Sequence, residues 1–446
     1  MKDNNFAKGS LIGHMIHLAV PMTLAQLVNI LYNIIDRIFI GQIAADSTNA
    51  LTGLGVAFPI CTVTIAFANL IGMGGSPLFS IERGRKNNEE AKNILGNSFI
   101  MLLILGILIS IIGFIVKEPV LYLLGASEAT FKYANSYISV YLCGTVFVML
   151  SLGLNSFINA QGFGKIGMMT VAIGAICNLI LDPIFIFVLD MGVQGAAVAT
   201  VISQFISASW TVIFLTGRRT IIKLSIVSFK LSAKRILKIC GLGLSGFTMA
   251  ITNSAVQMVN NSCLSIHGGD IYIAAITVIN SVREVIQMPI TGISNSSQPI
   301  ISYNYGAKEF DRVKKSIKYM SVILLIYTLV SWILVMIFSK QCIQLFNKDT
   351  ALLDIGIKSM HIYFFGFFMM AFQFAGQSTF TALGKSKQAV FFSIFRKVII
   401  VIPLIYILPH VGGLGVYGVF LAEPISNFIG GLASFSTMYL TIYKKL

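Results

Sequence analysis

Long apolar runs follow one another along almost the whole chain, each able to form a helix of about 20 residues and cross a bilayer. They fall near 14–41, 53–80, 94–116, 133–158, 166–189, 193–216, 236–263, 272–301, 316–339, 355–381, 388–408 and 414–440. Short polar segments separate them. The pattern predicts an all-α integral membrane protein with twelve transmembrane helices. Glycine and proline recur inside the runs, which membrane helices tolerate. The first run does not read as a secretory signal peptide. It is too long, Asn29, Asn33, Asp36 and Arg37 break it, and no small-residue cleavage site follows.

Composition strengthens this reading. Of 446 residues, 56% are hydrophobic and 11% charged, and the mean hydropathy is +0.83. Soluble domains carry about 25% charged residues, so a lipid-facing surface accounts for the shortage. A net charge of +15 would suggest nucleic acid as the partner of a soluble protein. Here the cations sit between apolar runs, and orientation in a bilayer explains them better.

The loops on one side hold Lys2, Lys8, the clusters 83–92, 218–238 and 308–318, Lys165, Lys385, Lys387, Lys444 and Lys445. That is 23 of the 32 Lys and Arg residues. The opposite loops hold five: Lys117, Lys132, Lys340, Lys348 and Lys358. By the positive-inside rule both termini are expected in the cytoplasm, with an even number of spans in a cell membrane. Six cysteines form no C-x-x-C pair, and five lie in apolar runs, so neither a disulfide framework nor a zinc site is expected.

The chain also repeats itself. Pro77, Gly84, Gly144, Ala160 and Gly162 match Pro299, Gly306, Gly366, Ala382 and Gly384 at an offset of 222. After a two-residue slip, Pro183, Gly192 and Gly195 match Pro403, Gly412 and Gly415. Two six-helix lobes, 1–217 and 236–446, joined by a basic linker 218–235, are expected. Each has an even number of spans, so both insert the same way up, related by a pseudo-two-fold axis along the membrane normal.

Acids inside such runs carry the chemistry, because an aspartate at the centre of a membrane helix costs roughly 2.5–3.5 kcal/mol on insertion scales. Four are present: Asp36, Asp182, Glu284 and Glu423. Asp36 shares a helical face with Asn29 and Asn33, and Asn178 and Asp182 lie one turn apart. Thr200, Ser203, Gln204 and Ser207 give the sixth run a polar side. Three helices of one half can therefore line one pocket. Two carboxylates there could carry a proton near neutral pH, and the same oxygens suit a bare sodium ion. In the second half Arg283, Glu284 and Glu423 are polar residues whose role is open, with Arg396 and Lys397 as pairing partners. Pro21 removes a backbone hydrogen bond from the first helix and marks a hinge or a plain irregularity. His14 and His17 read as interface residues rather than metal ligands. The aromatic and Met-rich run 363–374 either lines a greasy cavity or packs helices.

Several segments resemble multidrug and toxic compound extrusion (MATE) transporters along nearly the whole chain: LAVPMTLAQLVNILYNIIDRIFIG (18–41), ALTGLGVAFPI (50–60), NAQGFGK (159–165) and MPITGISNSSQPIISYNYGAK (288–308). The resemblance implies twelve helices in two lobes and a cation site in the first. In one branch of that family the site uses an acid on helix 1, an Asn and an Asp four apart on helix 5, and a Thr on helix 6. These map to Asp36, Asn178, Asp182 and Thr200. The family's helix 1 also carries a proline, matched by Pro21, whose bending is linked to proton binding. A second branch adds acids on helices 7 and 10, which this chain lacks; Gln373 and Gln377 stand nearest.

The expectation is a monomeric antiporter exchanging H+ or Na+ for lipophilic, mostly cationic drug-like compounds, with no cofactor. A lipid-linked oligosaccharide flippase of the same architecture is the alternative. No H-E-x-x-H motif, phosphate loop or intramembrane histidine cluster supports an enzyme.

Overall fold

A computed structural model describes residues 5–43, 47–346 and 349–446; Lys2 and Lys348 of the loop sets lie outside them. Among the described residues every regular element is helical. The order is α1 (Leu11–Gly41), α2 (Ser47–Gly84), α3 (Asn88–Leu123), α4 (Glu128–Ala160), α5 (Gly164–Pro183), α6 (Gly192–Thr216), α7 (Ala233–Gly268), α8 (Asp270–Gly306), α9 (Phe310–Gln344), α10 (Thr350–Phe364), α11 (Met370–Ala382), α12 (Ser386–Ile394), α13 (Ile402–Ile407) and α14 (Tyr417–Met438).

Local chemistry explains the starts. Asn87 caps α3, its side chain accepting from the Glu90 amide at 3.2 Å, with Glu89 and Glu90 in the positive first turn. Ser127 and Thr130 form a capping box at α4. On α3, Ile104, Ile107, Leu108, Ile111, Ile112 and Ile115 recur at helical spacing and are all exposed. An apolar stripe of that length belongs against lipid, not water.

Among the described residues eleven stretches are long and apolar enough to cross a membrane, with α10 and α11 forming one of them and 386–410 another. The twelfth predicted run, 414–440, is α14. Its 22 residues are enough to span, but Glu423, Asn427 and several small polar residues dilute its apolarity. Glu423, Ser426, Asn427 and Ser434 are buried in the protein, so the helix need not be greasy all round.

The chain falls into two compact units, one running over Val20–Gly243, the other taking Phe6–Ala19 with Leu244–Leu446. The boundary along α1 lies one residue before Pro21. The first unit is built on α4, which packs against α2, α3 and α6. The predicted linker is held down rather than free. Gln161 Oε1 accepts from the Thr220 hydroxyl at 2.9 Å and from the Ile221 and Ile222 amides at 2.8 and 2.9 Å. Arg235 meets Glu90 through two bonds of 2.8 and 2.7 Å. Gln161→Ala removes one acceptor for three donors and should cost about 1–3 kcal/mol. Faster hydrogen exchange at 221–222 would register it, and unchanged exchange would show that the segment is held otherwise.

Two glycines set how closely α2 and α7 approach. A Cβ on Gly243 would collide with the Leu70 carbonyl, and one on Gly74 with the Ile239 carbonyl. Both obstacles are backbone, so no rotamer change relieves them. Gly243→Val is expected to destabilise by roughly 3 kcal/mol or more, read as a lower melting midpoint in detergent; an unaltered midpoint would contradict the contact.

The repeat is written in the backbone. Gly84 and Gly306 end α2 and α8, and Ala160 and Ala382 end α4 and α11. Left-handed residues recur at matched places: Lys86 and Lys308 (φ 61° each), Gly162 and Gly384 (86° and 70°), Gly192 and Gly412 (54° and 61°). The matched carbonyls of Ala160 and Ala382 both accept side-chain bonds, from Arg83 at 2.7 Å and Ser302 at 2.6 Å. The halves differ at Gly366, whose φ of 75° separates α10 from α11, while its counterpart Gly144 lies inside unbroken α4.

Candidate functional site

Asp36 sits one turn from the end of α1, and Asn178 and Asp182 lie on successive turns near the end of α5. Past Asp182, Pro183 withholds a backbone N–H and the helix widens into a π-helical turn, Ile184–Val188. Thr200 comes from α6, two turns after the helix begins. All four side chains are buried, with exposures of 6%, 2%, 0% and 4% for Asp36, Asn178, Asp182 and Thr200.

The four meet. Asn178 Nδ2 donates to Asp182 Oδ1 at 3.1 Å and to Thr200 Oγ1 at 3.3 Å. The Asp36 and Asp182 carboxyls lie within hydrogen-bonding reach of each other. No salt bridge reaches either acid among the described residues. Arg37, the adjacent cation, points elsewhere, its guanidinium stacking 5.1 Å over the Phe58 ring. Two carboxyls in contact cannot both stay ionised in an apolar surround without a cation between them. Either one proton or one metal ion satisfies the pair. Asp36 Oδ1, Asp182 Oδ2 and Asn178 Oδ1 are buried and lack hydrogen-bond partners, so oxygen acceptors are left over on three side chains. An oxygen-rich, donor-poor set of that kind suits a proton or a hard cation.

An open cleft with about 450 Å³ of atom-free space adjoins the cluster, lined by Asn29, Tyr32, Asn155, Asn178, Thr200, Ser203 and Gln204 among others. Asn29 is thus beside the cleft, as its polar face implies. Asn33 is not: its amide turns back to the Asn29 carbonyl at 2.7 Å. Gln204 accepts from Ser151 Oγ at 2.7 Å. Sequence reasoning missed Tyr32, whose hydroxyl contacts Thr200. Its signal was available, since Tyr32 lies four residues before Asp36 on the same helical face.

In the second unit Glu423 is bound by Arg396 Nη1 at 2.9 Å and by Lys397 Nζ at 3.2 and 3.3 Å. Arg283 Nη2 approaches it at 3.8 Å. Glu284 is exposed. Most of run 363–374 packs rather than lining a space: Tyr363, Phe364, Phe367 and Met370 are all at least 96% buried. Gln377 donates to Ser393 at 2.5 Å, and Gln373 is buried. His14 Nε2 donates to the Lys8 carbonyl at 2.8 Å, and the ring packs edge-on to Phe6. The six cysteines are free.

Lipid-facing apolar helices, a chain built twice over and buried polar clusters inside the spans define a polytopic membrane transporter rather than an enzyme. The MatE family profile matches residues 21–184 and again 245–407, once in each half, and the chain belongs to that family. It is 26% identical over 434 residues to the multidrug export protein MepA of Staphylococcus haemolyticus, covering 96% of this chain and 95% of the relative. It is 25% identical over 443 residues to MepA of Staphylococcus aureus, covering 99% and 97%. The fold matches the crystal structure of a MATE protein in the bent conformation at a TM-score of 0.94, with 24% identity and coverage of 100% and 99%. It also matches the outward-facing conformation of a multidrug resistance MATE family transporter at 0.92, with the same identity and coverage.

Proposed function

We propose that the protein is a secondary multidrug efflux antiporter of a bacterial cell membrane, exchanging H+ or Na+ for lipophilic, mostly cationic compounds. The observation that carries this reading is the contact between Asp36 and Asp182, both buried and, among the described residues, without a salt bridge to either. The names of the MepA relatives support the multidrug part. An ion arriving at Asp36, Asn178, Asp182 and Thr200 biases the transporter toward one access state, because it binds that state more tightly, and the drug reverses the bias. Pro21 is the hinge by which α1 would respond. The 23-to-5 division of basic residues supports cytoplasmic termini. A monomer suffices for this scheme.

The flippase alternative gains little. It would need a strongly cationic cavity, yet of the four cations inside the spans Arg396 and Lys397 are tied to Glu423 and Arg37 lies on Phe58, which leaves Arg283 alone with unused donors. Proteoliposomes loaded with ethidium test the antiporter reading: a proton gradient or a sodium gradient, imposed separately, should drive dye movement. Movement indifferent to both gradients would end it.

A further inference from the structure

The second unit buries more positive charge than negative. Arg396 and Lys397 are 5% and 2% exposed, Glu423 is 5% exposed, and the Arg283 side chain is 16% exposed. Three cations therefore surround one buried carboxylate. Glu284, next along α8 from Arg283, is exposed, where its charge is screened. A buried charge left without a partner is strongly disfavoured, so the cluster is short of an anion.

The hydrogen bonds show where one would sit. Arg396 and Lys397 are both committed to Glu423 at hydrogen-bond distance, and Arg396 also donates to Asn427 Oδ1 at 2.9 Å. Arg283 is committed only in part. Its Nη1 donates to the Tyr363 hydroxyl at 2.8 Å, which in turn donates to Asn280 Oδ1 at 3.5 Å. That bond fixes the plane of the guanidinium. Its Nε has no partner, and its Nη2 lies 3.8 Å from Glu423, too far for a hydrogen bond. Nε and Nη2 form one edge of the guanidinium, the edge whose two parallel N–H groups match a carboxylate. Asn427 Nδ2, on a side chain only 1% exposed, is a further donor without a partner. Among these four residues the unused groups are donors, whereas around Asp36 and Asp182 they are acceptors.

We propose that Arg283, held by Tyr363 and backed by Arg396, Lys397 and Asn427, forms a binding site for one monovalent anion, either a carboxylate or a halide. The site takes a single negative charge through the Nε–Nη2 edge of Arg283. It rests on the second unit alone and does not depend on ion coupling in the first.

The full-length protein, purified in detergent, would be titrated separately with radiolabelled benzoate and radiolabelled chloride, with isethionate holding the ionic strength. Saturable binding near one anion per chain is expected. Arg283→Gln should weaken it about 10–100-fold, the scale of a charge-assisted hydrogen-bonded contact. Arg283→Lys, which keeps the charge but loses the fork, should weaken benzoate about tenfold and remains decisive if the glutamine variant misfolds. Benzoate binding that chloride cannot displace assigns an organic carboxylate; mutual displacement assigns any small monovalent anion. No saturable binding of either anion, or affinity unchanged in both variants, overturns the proposal.

Discussion

Asp36→Asn and Asp182→Asn are each expected to reduce gradient-driven efflux at least tenfold. Asparagine keeps the size of aspartate and both polar positions, so packing is preserved. It cannot ionise, so it neither takes up a proton nor supplies charge to a cation. The two carboxyls touch, and Asn178 bridges Asp182 to Thr200. Removing either charge leaves the other acid without the neighbour that makes the pair ion-dependent. A tenfold loss corresponds to only about 1.4 kcal/mol of differential ion binding, less than one desolvated carboxylate contributes. Everted membrane vesicles with an imposed proton or sodium gradient separate coupling from permeation. Downhill leak of dye should persist in the variants while the gradient-dependent component disappears. Full gradient dependence in both would mean that the coupling site lies elsewhere.

Glu423→Ala carries the largest expected cost in stability, about 3–5 kcal/mol. It removes the acceptor of three hydrogen bonds and leaves Arg396, Lys397 and Arg283 facing one another. Lys397 is 2% exposed and Arg396 is 5% exposed, so water cannot take over. The Arg396 stem also lies across Gly430, where even a Cβ would crowd it, so it has little room to swing aside. The melting midpoint in detergent should fall by many degrees. Glu423→Ala combined with Lys397→Met should recover part of the loss, because one repulsive charge has gone with the acid. A double variant no better than the single one would show that charge is not what the cluster balances.

Much of this was legible in the sequence. Apolar runs of membrane length marked every long helix, because lipid demands apolar surface wherever a helix faces it. The repeat offset of 222 located left-handed turns at Gly162 and Gly384, since glycine marks the conformation it permits. It could not reveal that Lys86 and Lys308 share the same backbone turn, because lysine carries no such signal. The twelfth run, 414–440, was visible with Glu423 inside it, but why it tolerates the acid depends on neighbours distant in sequence. The polar stripes on α1, α5 and α6 pointed to one pocket through helical spacing alone. Tyr32 was overlooked because tyrosine in an apolar run reads as filling. Asn33 was placed on the right face, but its amide satisfies its own helix instead. The partnership of Arg283 with Tyr363, eighty residues apart, was beyond reach for the same reason as any long-range contact.

The buried ion cluster also bears on biogenesis. Arg396 and Lys397 leave the ribosome before Glu423, which follows 27 and 26 residues later. On insertion scales each unpartnered cation at mid-membrane costs roughly 2.5–3.5 kcal/mol. The stretch 386–410 is apolar enough to cross, yet it carries that cost until Glu423 on α14 meets both cations. These two segments are best delivered to the bilayer together, which makes the arrival of α14 the step that neutralises the cations already there.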